Sequence, residues 1–235
     1  MKCAIMQPTY IPWSGYFNLI ASVDHFVFLN NVQYERRSWQ SRNRIMVNGA
    51  EHILTVPVER CPQKTLLDKV SISYAEDWRP RHWLTLKSAY GKSGYAIELL
   101  PLLQPHLCGP AESNLARFTE MIIRDIAQAL GITTKMHRAS NLSANGMRSE
   151  RLASLCQTLS CESYISPKGS RQYLEEDNFQ ERFGIKLNYQ EYNPTPYAQM
   201  GGKPFVTHLS IVDVIANLGL EGAKDYIKGT NGNNG

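Results

Sequence analysis

His208, Ser210 and Asp213 stand close together in "YAQMGGKPFVTHLSIVDV" (197–214), a short step after Gln199. Histidine has an unperturbed pKa near neutrality, so His208 is a candidate general base. The three-residue step from Ser210 to Asp213 also fits a capping box with Asp in place of Glu, a purely structural use. His82, in "WRPRHW" beside Arg79 and Arg81, is a second candidate for acid–base work or a phosphate contact. The same residues would serve as a solvated helix face. No HExxH, GxSxG, DxD or GxGxxG pattern occurs, which argues against zinc proteases, elbow-type serine hydrolases, metal-dependent GT-A glycosyltransferases and dinucleotide oxidoreductases.

Three further stretches carry groups that bind ligands. In residues 7–16, Gln7, Thr9, Tyr10, Ser14 and Tyr16 can all hydrogen-bond, and Pro8 and Pro12 stiffen the loop. Gly15 would let a ligand approach a helix start, where free N–H groups favour an anion. The alternative is a tight crossover whose aromatic rings fill the core edge. Residues 30–45 concentrate Asn30, Asn31, Gln33, Arg36, Arg37, Trp39, Arg42 and Arg44. Arginine forks suit phosphate or carboxylate, and Trp39 offers a stacking face; an exposed polar hairpin without a ligand is the competing reading. In "SPKGSRQY" (166–173), Lys168, Gly169 and Ser170 could cradle an oxyanion, or Ser170 could simply cap a helix. The spacing is not that of a Walker loop.

These stretches need elements to hold them. "KCAIM" and "HFVFL" read as strands with a helix over "GYFNLIASV" between them, which predicts a parallel βαβ unit. "HILTVPV" and "KVSISY" read as two more strands around a proline-bearing loop. Helices are predicted over 77–91, around 95–103 and, most strongly, over 111–131, where Leu115, Phe118, Ile122, Ile126 and Leu130 share a face and Gly131 closes the helix. Strand and helix then alternate: "TTKMHRAS", "RSERLASLCQTLS", "SYIS", "SRQYLEEDNFQERFG", "IKLNYQEY" and a last helix, "LSIVDVIANLG", ending at its glycine. The expected class is α/β: one Rossmann-like domain over 1–228 with a largely parallel sheet flanked by helices, and a disordered tail over 229–235. In such sheets ligands bind beyond the carboxyl ends of the strands, where the polar loops above lie.

Composition narrows the class further. The 235 residues are 43% hydrophobic and 20% charged, with a net charge of +4, too mild to mark a nucleic-acid binder. No apolar run is long enough to span a membrane, and no signal peptide is read at the start. The five cysteines are odd in number and form no CxxC, so neither a disulfide framework nor a metal centre is expected, and a cytoplasmic setting is.

The chain resembles the WbqC-like family of bacterial proteins. The resemblance rests on "MQPTYIPWSGYFNLIASVD", "NNVQYERRSWQSRNRI" followed by "LTVPV", "YISPKGSRQYL" and "HLSIVDVIANLG", in order along nearly the whole chain. The family often carries Asp where this chain has Asn30 or Asn31, which removes a carboxylate that metal or base chemistry there would use. Members occur among genes for O-antigen and other surface polysaccharides and in natural-product pathways. The resemblance implies transfer of an acyl or aminoacyl group, such as glycyl, from an activated donor to an amino-sugar nucleotide or small amine. An acyl-carrier protein would be the partner, and phosphopantetheine or a nucleotide would activate the donor, with no resident cofactor. In that scheme His208 or His82 is the base, Gly15 or Gly169 donates to the oxyanion, and Arg36, Arg42 and Lys168 hold phosphate. A more distant similarity, to HUP nucleotidylyltransferases and pantothenate-synthetase-like ligases, implies adenylyl transfer. "PWSGYF" lacks the His-x-Gly-His loop of those enzymes. A non-catalytic binding subunit is the third reading.

Overall fold

Short runs rich in β-branched and aromatic residues build the sheet. The strands are Lys2–Met6 (β1), His25–Phe28 (β2), Arg42–Val47 (β3), Ala50–Thr55 (β4), Lys135–Arg138 (β5), Ser163–Ser166 (β6) and Lys186–Tyr189 (β7). The computed structural model describes residues 1–201 and 204–229; Gly202, Lys203 and all but the first residue of the expected tail lie outside them. Five strands pair in the order β5-β2-β1-β6-β7, every pair parallel, while β3 and β4 form a separate hairpin. Taking the parallel strands alone, the chain moves outward from β1 to β2 and β5, then returns to lay β6 against the other side of β1. That is the Rossmann-like, doubly wound order, and its reversal point lies between β1 and β6.

The pleat sends alternate side chains to two cores. Ala4, Phe26 and Phe28 face one cluster with Phe17, Phe118 and Ile215; Cys3, Ile5 and Val27 face another with Leu152, Leu155 and Phe179. The first cluster is covered by Ser14–Ala21 (α1), Trp78–Tyr90 (α2), Ala96–Cys108 (α3), Leu115–Ala129 (α4) and Ile211–Lys228 (α8). The second is covered by Arg148–Thr158 (α5), with Arg171–Glu176 (α6) and Phe179–Phe183 (α7). In α4, Leu115, Phe118, Ile122 and Ile126 are buried, at roughly 1.5–3 kcal/mol each. Asn114 Oδ1 accepts from the Arg117 N–H at 3.0 Å to start this helix. No helix among the described residues is long and apolar enough to cross a membrane.

Four expectations are corrected. "KVSISY" is not a strand; Val58↔Ile72 and Ser71↔Asn114 are isolated bridges, and the segment is an extended connector clasped between loops. The segment 30–45 is not loop throughout, since Arg42 begins β3. The helix expected over 95–103 runs on to Cys108, past Pro101 and Pro105. The last helix does not stop at Gly219; that residue adopts φ 72° and ψ 179°, kinking α8, and a further stretch continues to Lys228. The Tyr95 ring would lie 2.6 Å from a Cβ at Gly219, so both the backbone and the packing require glycine there.

Candidate functional site

Loop 7–13 leaves β1 at the reversal point and is stitched on both sides. Its Pro12 carbonyl accepts from the Ile211 N–H at 2.8 Å, and Asn43 Nδ2 donates to the Tyr10 and Ile11 carbonyls at 3.0 Å each. The Arg44 carbonyl accepts from the Ser210 N–H at 2.8 Å, so β3, the loop and the start of α8 form one unit. Against this unit lie two cavities. One, of about 290 Å³, is lined by Lys168, Gly169, Gln190, Tyr192 and Asn193, on the segments that follow β6 and β7. The other, of about 320 Å³ and mainly apolar, is lined by Thr9, Trp39, Asn43 and Arg44. Both share Met6, Trp13, Tyr16 and His208. Trp13 and His208 pack ring to ring at 4.6 Å, forming the wall between them.

His208 is placed by unusual backbone. It adopts φ 59°, in the left-handed region, at a cost of roughly 1–3 kcal/mol for a residue with a side chain. Arg44 Nη2 reaches the Thr207 and His208 carbonyl oxygens at 3.5 and 3.4 Å, while its Nη1 is held by Glu51 Oε2 at 2.7 Å. Partial burial, and secondarily the Arg44 charge, lower the His208 pKa below the ordinary imidazole value. The ring is therefore neutral near pH 7. Its Nδ1 meets the Thr207 hydroxyl. In the tautomer whose Nδ1–H donates to that oxygen, Nε2 keeps a free lone pair.

The other sequence candidates divide by position. Lys168, Gly15, Tyr16 and Trp39 line the two cavities with His208. Gly15 serves Trp13, however, because a Cβ there would run into the indole. The Tyr16 hydroxyl donates to the Gln7 carbonyl at 3.1 Å, and Gln7 Oε1 accepts from Gln40 Nε2 at 2.7 Å, so one polar tip closes the loop and the other ties it to the segment before β3. Ser170 ends a single turn before α6 and makes no capping bond. Asn31 Oδ1 is buried without a hydrogen-bond partner among the described residues. Gln33 and Arg36 line a separate cavity of about 410 Å³, and Arg36 and Arg42 also line a groove on the hairpin side.

Tyr10 and His82 are core residues. Tyr10 is 1% exposed, and its hydroxyl meets His82 Nδ1 at 3.0 Å. Burial, with the nearby His52 charge, pushes His82 down to about 4, so it stays neutral and lines neither cavity. The capping box is half formed: Ser210 Oγ accepts from the Val212 N–H at 3.2 Å, but Asp213 turns inward. Its carboxylate accepts from Tyr90 Oη at 2.9 Å, Tyr197 Oη at 2.6 Å and Gln199 Nε2 at 3.2 Å. Tyr90 Oη in turn accepts from the Met46 N–H at 3.0 Å, tying α8 through α2 to β3. Asp213, Gln199 and Ser210 thus hold the His208 loop rather than face it.

Sequence reasoning passed over Met6, Trp13, Asn43, Gln190, Tyr192 and Asn193 as cavity residues. The signal for Met6 was its place at a strand's carboxyl end, and for Trp13 the glycine two residues on that makes room for its ring.

Comparison with known proteins now adds to this geometry. The WbqC-like protein family matches residues 7–225. The chain belongs to the WbqC-like protein family. The matched span holds both cavities apart from Met6. A relative of this WbqC-like protein in Mycobacterium tuberculosis (strain ATCC 25618 / H37Rv), carrying the name "Uncharacterized protein Rv1507c", is 34% identical over 234 residues, covering 97% of each chain. No solved structure matches.

Proposed function

We propose that this WbqC-like protein is an acyl or aminoacyl transferase of bacterial surface-polysaccharide or natural-product biosynthesis, moving a group such as glycyl from a carrier thioester to an amino sugar or small amine. One observation carries the reading: two cavities of different character meet at one neutral histidine. A transferase must hold two substrates against each other and against a base. The apolar cavity beside Trp39 suits an acyl chain and thioester. The cavity beside Lys168, Gln190 and Asn193 suits a polar acceptor.

The chemistry is balanced with the groups present. The acceptor amine attacks the thioester carbonyl, and a C–N bond forms. His208 Nε2 takes the proton from the nitrogen. As the tetrahedral intermediate collapses the C–S bond breaks, and the proton passes from His208 to the departing thiolate. The Gly169 N–H, beside which a side chain would meet open space, is the donor assigned to the oxyanion. Incubation with a panel of acyl- and aminoacyl-carrier thioesters and amino-sugar nucleotides, read by mass spectrometry, should give a product heavier than the acceptor by the transferred group. Silence across the panel would count against the reading.

Adenylyl transfer is the second reading, favoured by the strand order and by the Lys168 loop at the reversal point. Incubation with ATP and magnesium, read by mass spectrometry, discriminates: adenylyl transfer predicts an adenylylated product and released pyrophosphate, where thioester transfer predicts neither.

A further inference from the structure

On the hairpin side, away from His208, lies a groove of about 790 Å³. Arg36, Arg37, Arg42 and Arg60 line it, over a floor of Tyr34 and Val56. Among the described residues none of the four arginines has a carboxylate within 4.0 Å, although the other lining residues include Glu59. Protein hydrogen bonds hold the walls of the groove. Arg36 Nη2 donates to the Cys61 carbonyl at 2.9 Å, the Tyr34 and Ser41 hydroxyls meet at 3.3 Å, and the Val56 N–H donates to the Ser41 carbonyl at 2.7 Å. Arg42 Nε is buried and has no hydrogen-bond partner among the described residues. Arg42 stacks on the Trp39 ring at 5.6 Å and Arg44 on the same ring at 5.7 Å. Trp39, 48% exposed, therefore joins the arginine groove to the cavity that Arg44 and His208 line.

Unneutralised like charges in a concavity repel one another and raise the local concentration of anions. Guanidinium forks bind phosphate oxygens in pairs, with strong geometric preference. We infer that this groove is a diphosphate site, which anchors the phosphorylated end of a substrate while its reacting end extends past Trp39 into the His208 cavity. Only the approach of the reacting end to His208 rests on the transferase reading; the anion site does not. A nucleoside-diphosphate sugar would fill the groove with both its phosphates, whereas a phosphopantetheine arm, which carries one, would fill half of it.

Calorimetric titration of the full chain at low ionic strength tests this, with inorganic pyrophosphate as probe and uridine diphosphate and 4′-phosphopantetheine as comparison arms. Pyrophosphate should bind, more weakly as salt is raised. Each charge removed should weaken it about tenfold, and R37E/R60E, which reverses two exposed residues, by a hundredfold or more. H208A should bind pyrophosphate as the wild type does, whatever becomes of transfer activity. Tighter uridine diphosphate than phosphopantetheine would assign the groove to a nucleotide-linked sugar, and the reverse order to a carrier arm. No pyrophosphate binding, unchanged binding in R37E/R60E, or loss in K168A alone would overturn the site.

Discussion

At the residue scale, the proposed chemistry turns on His208 and Arg44. The lowered His208 pKa leaves the free base populated to more acid pH than an unperturbed imidazole would allow. Activity should therefore be full at neutrality and fall as pH drops through that lowered value. The acid limb of kcat/KM should lie below the ordinary 6.5. R44M removes the neighbouring positive charge and should move the limb upward. A limb at or above 6.5 in the wild type, or no movement in R44M, would tell against His208 as base. The histidine pair also shows what sequence cannot resolve. His82 and His208 carry the same chemistry on paper, and only the fold buries one against Tyr10, 72 residues earlier, and sets the other between two cavities.

At the element scale, the parallel strands and α4 were legible because their patterns are local: period two in short β-rich runs, period 3.6 in a long amphipathic stretch. The β3–β4 hairpin was legible only in part: a polar hairpin was the competing reading of 30–45 and "HILTVPV" overlaps β4, but β3 was not read as a strand or as its partner. Its first strand is "RNRIMV", whose charged and polar residues hide the alternation. The usable signal was the turn itself. Asn48 and Gly49 have φ 50° and 79°, and with Val47 opposite Ala50 they make the two-residue hairpin turn that Asn-Gly favours. Gly49 also meets the Gly201 carbonyl, which leaves no room for a side chain. Asp213 is the pin among elements. D213A would leave the buried Tyr90 and half-buried Tyr197 hydroxyls without their acceptor and should cost on the order of 3 kcal/mol in urea unfolding. A loss under about 1 kcal/mol would show that the network does not hold α8 to β3.

At the scale of the whole molecule, the class followed from the order of elements, and the candidate site was sought at the reversal point because doubly wound sheets put ligands there. What lay beyond reach was which polar groups are spent inside the fold. Gln7, Tyr10 and Asp213 find protein partners 33, 72 and 123 residues away. His82 gives this a global consequence. Its folded pKa, about 4, is below the unfolded 6.5, so the unfolded chain binds the extra proton in that window. Stability should be fully present above pH 6.5 and fall by up to about 3 kcal/mol as pH drops to 4. Urea titrations across that range should show a steeper loss in the wild type than in H82Q; parallel curves would mean that His82 protonates without opposing the fold.

The most direct test compares wild type and H208A side by side, with carrier thioesters and amino-sugar acceptors, following product by mass. The wild type should form the C–N linked product, and H208A should form it about a hundredfold to ten-thousandfold more slowly while keeping its unfolding midpoint. Product formed by H208A at the wild-type rate would contradict a reaction centred on the histidine between the two cavities.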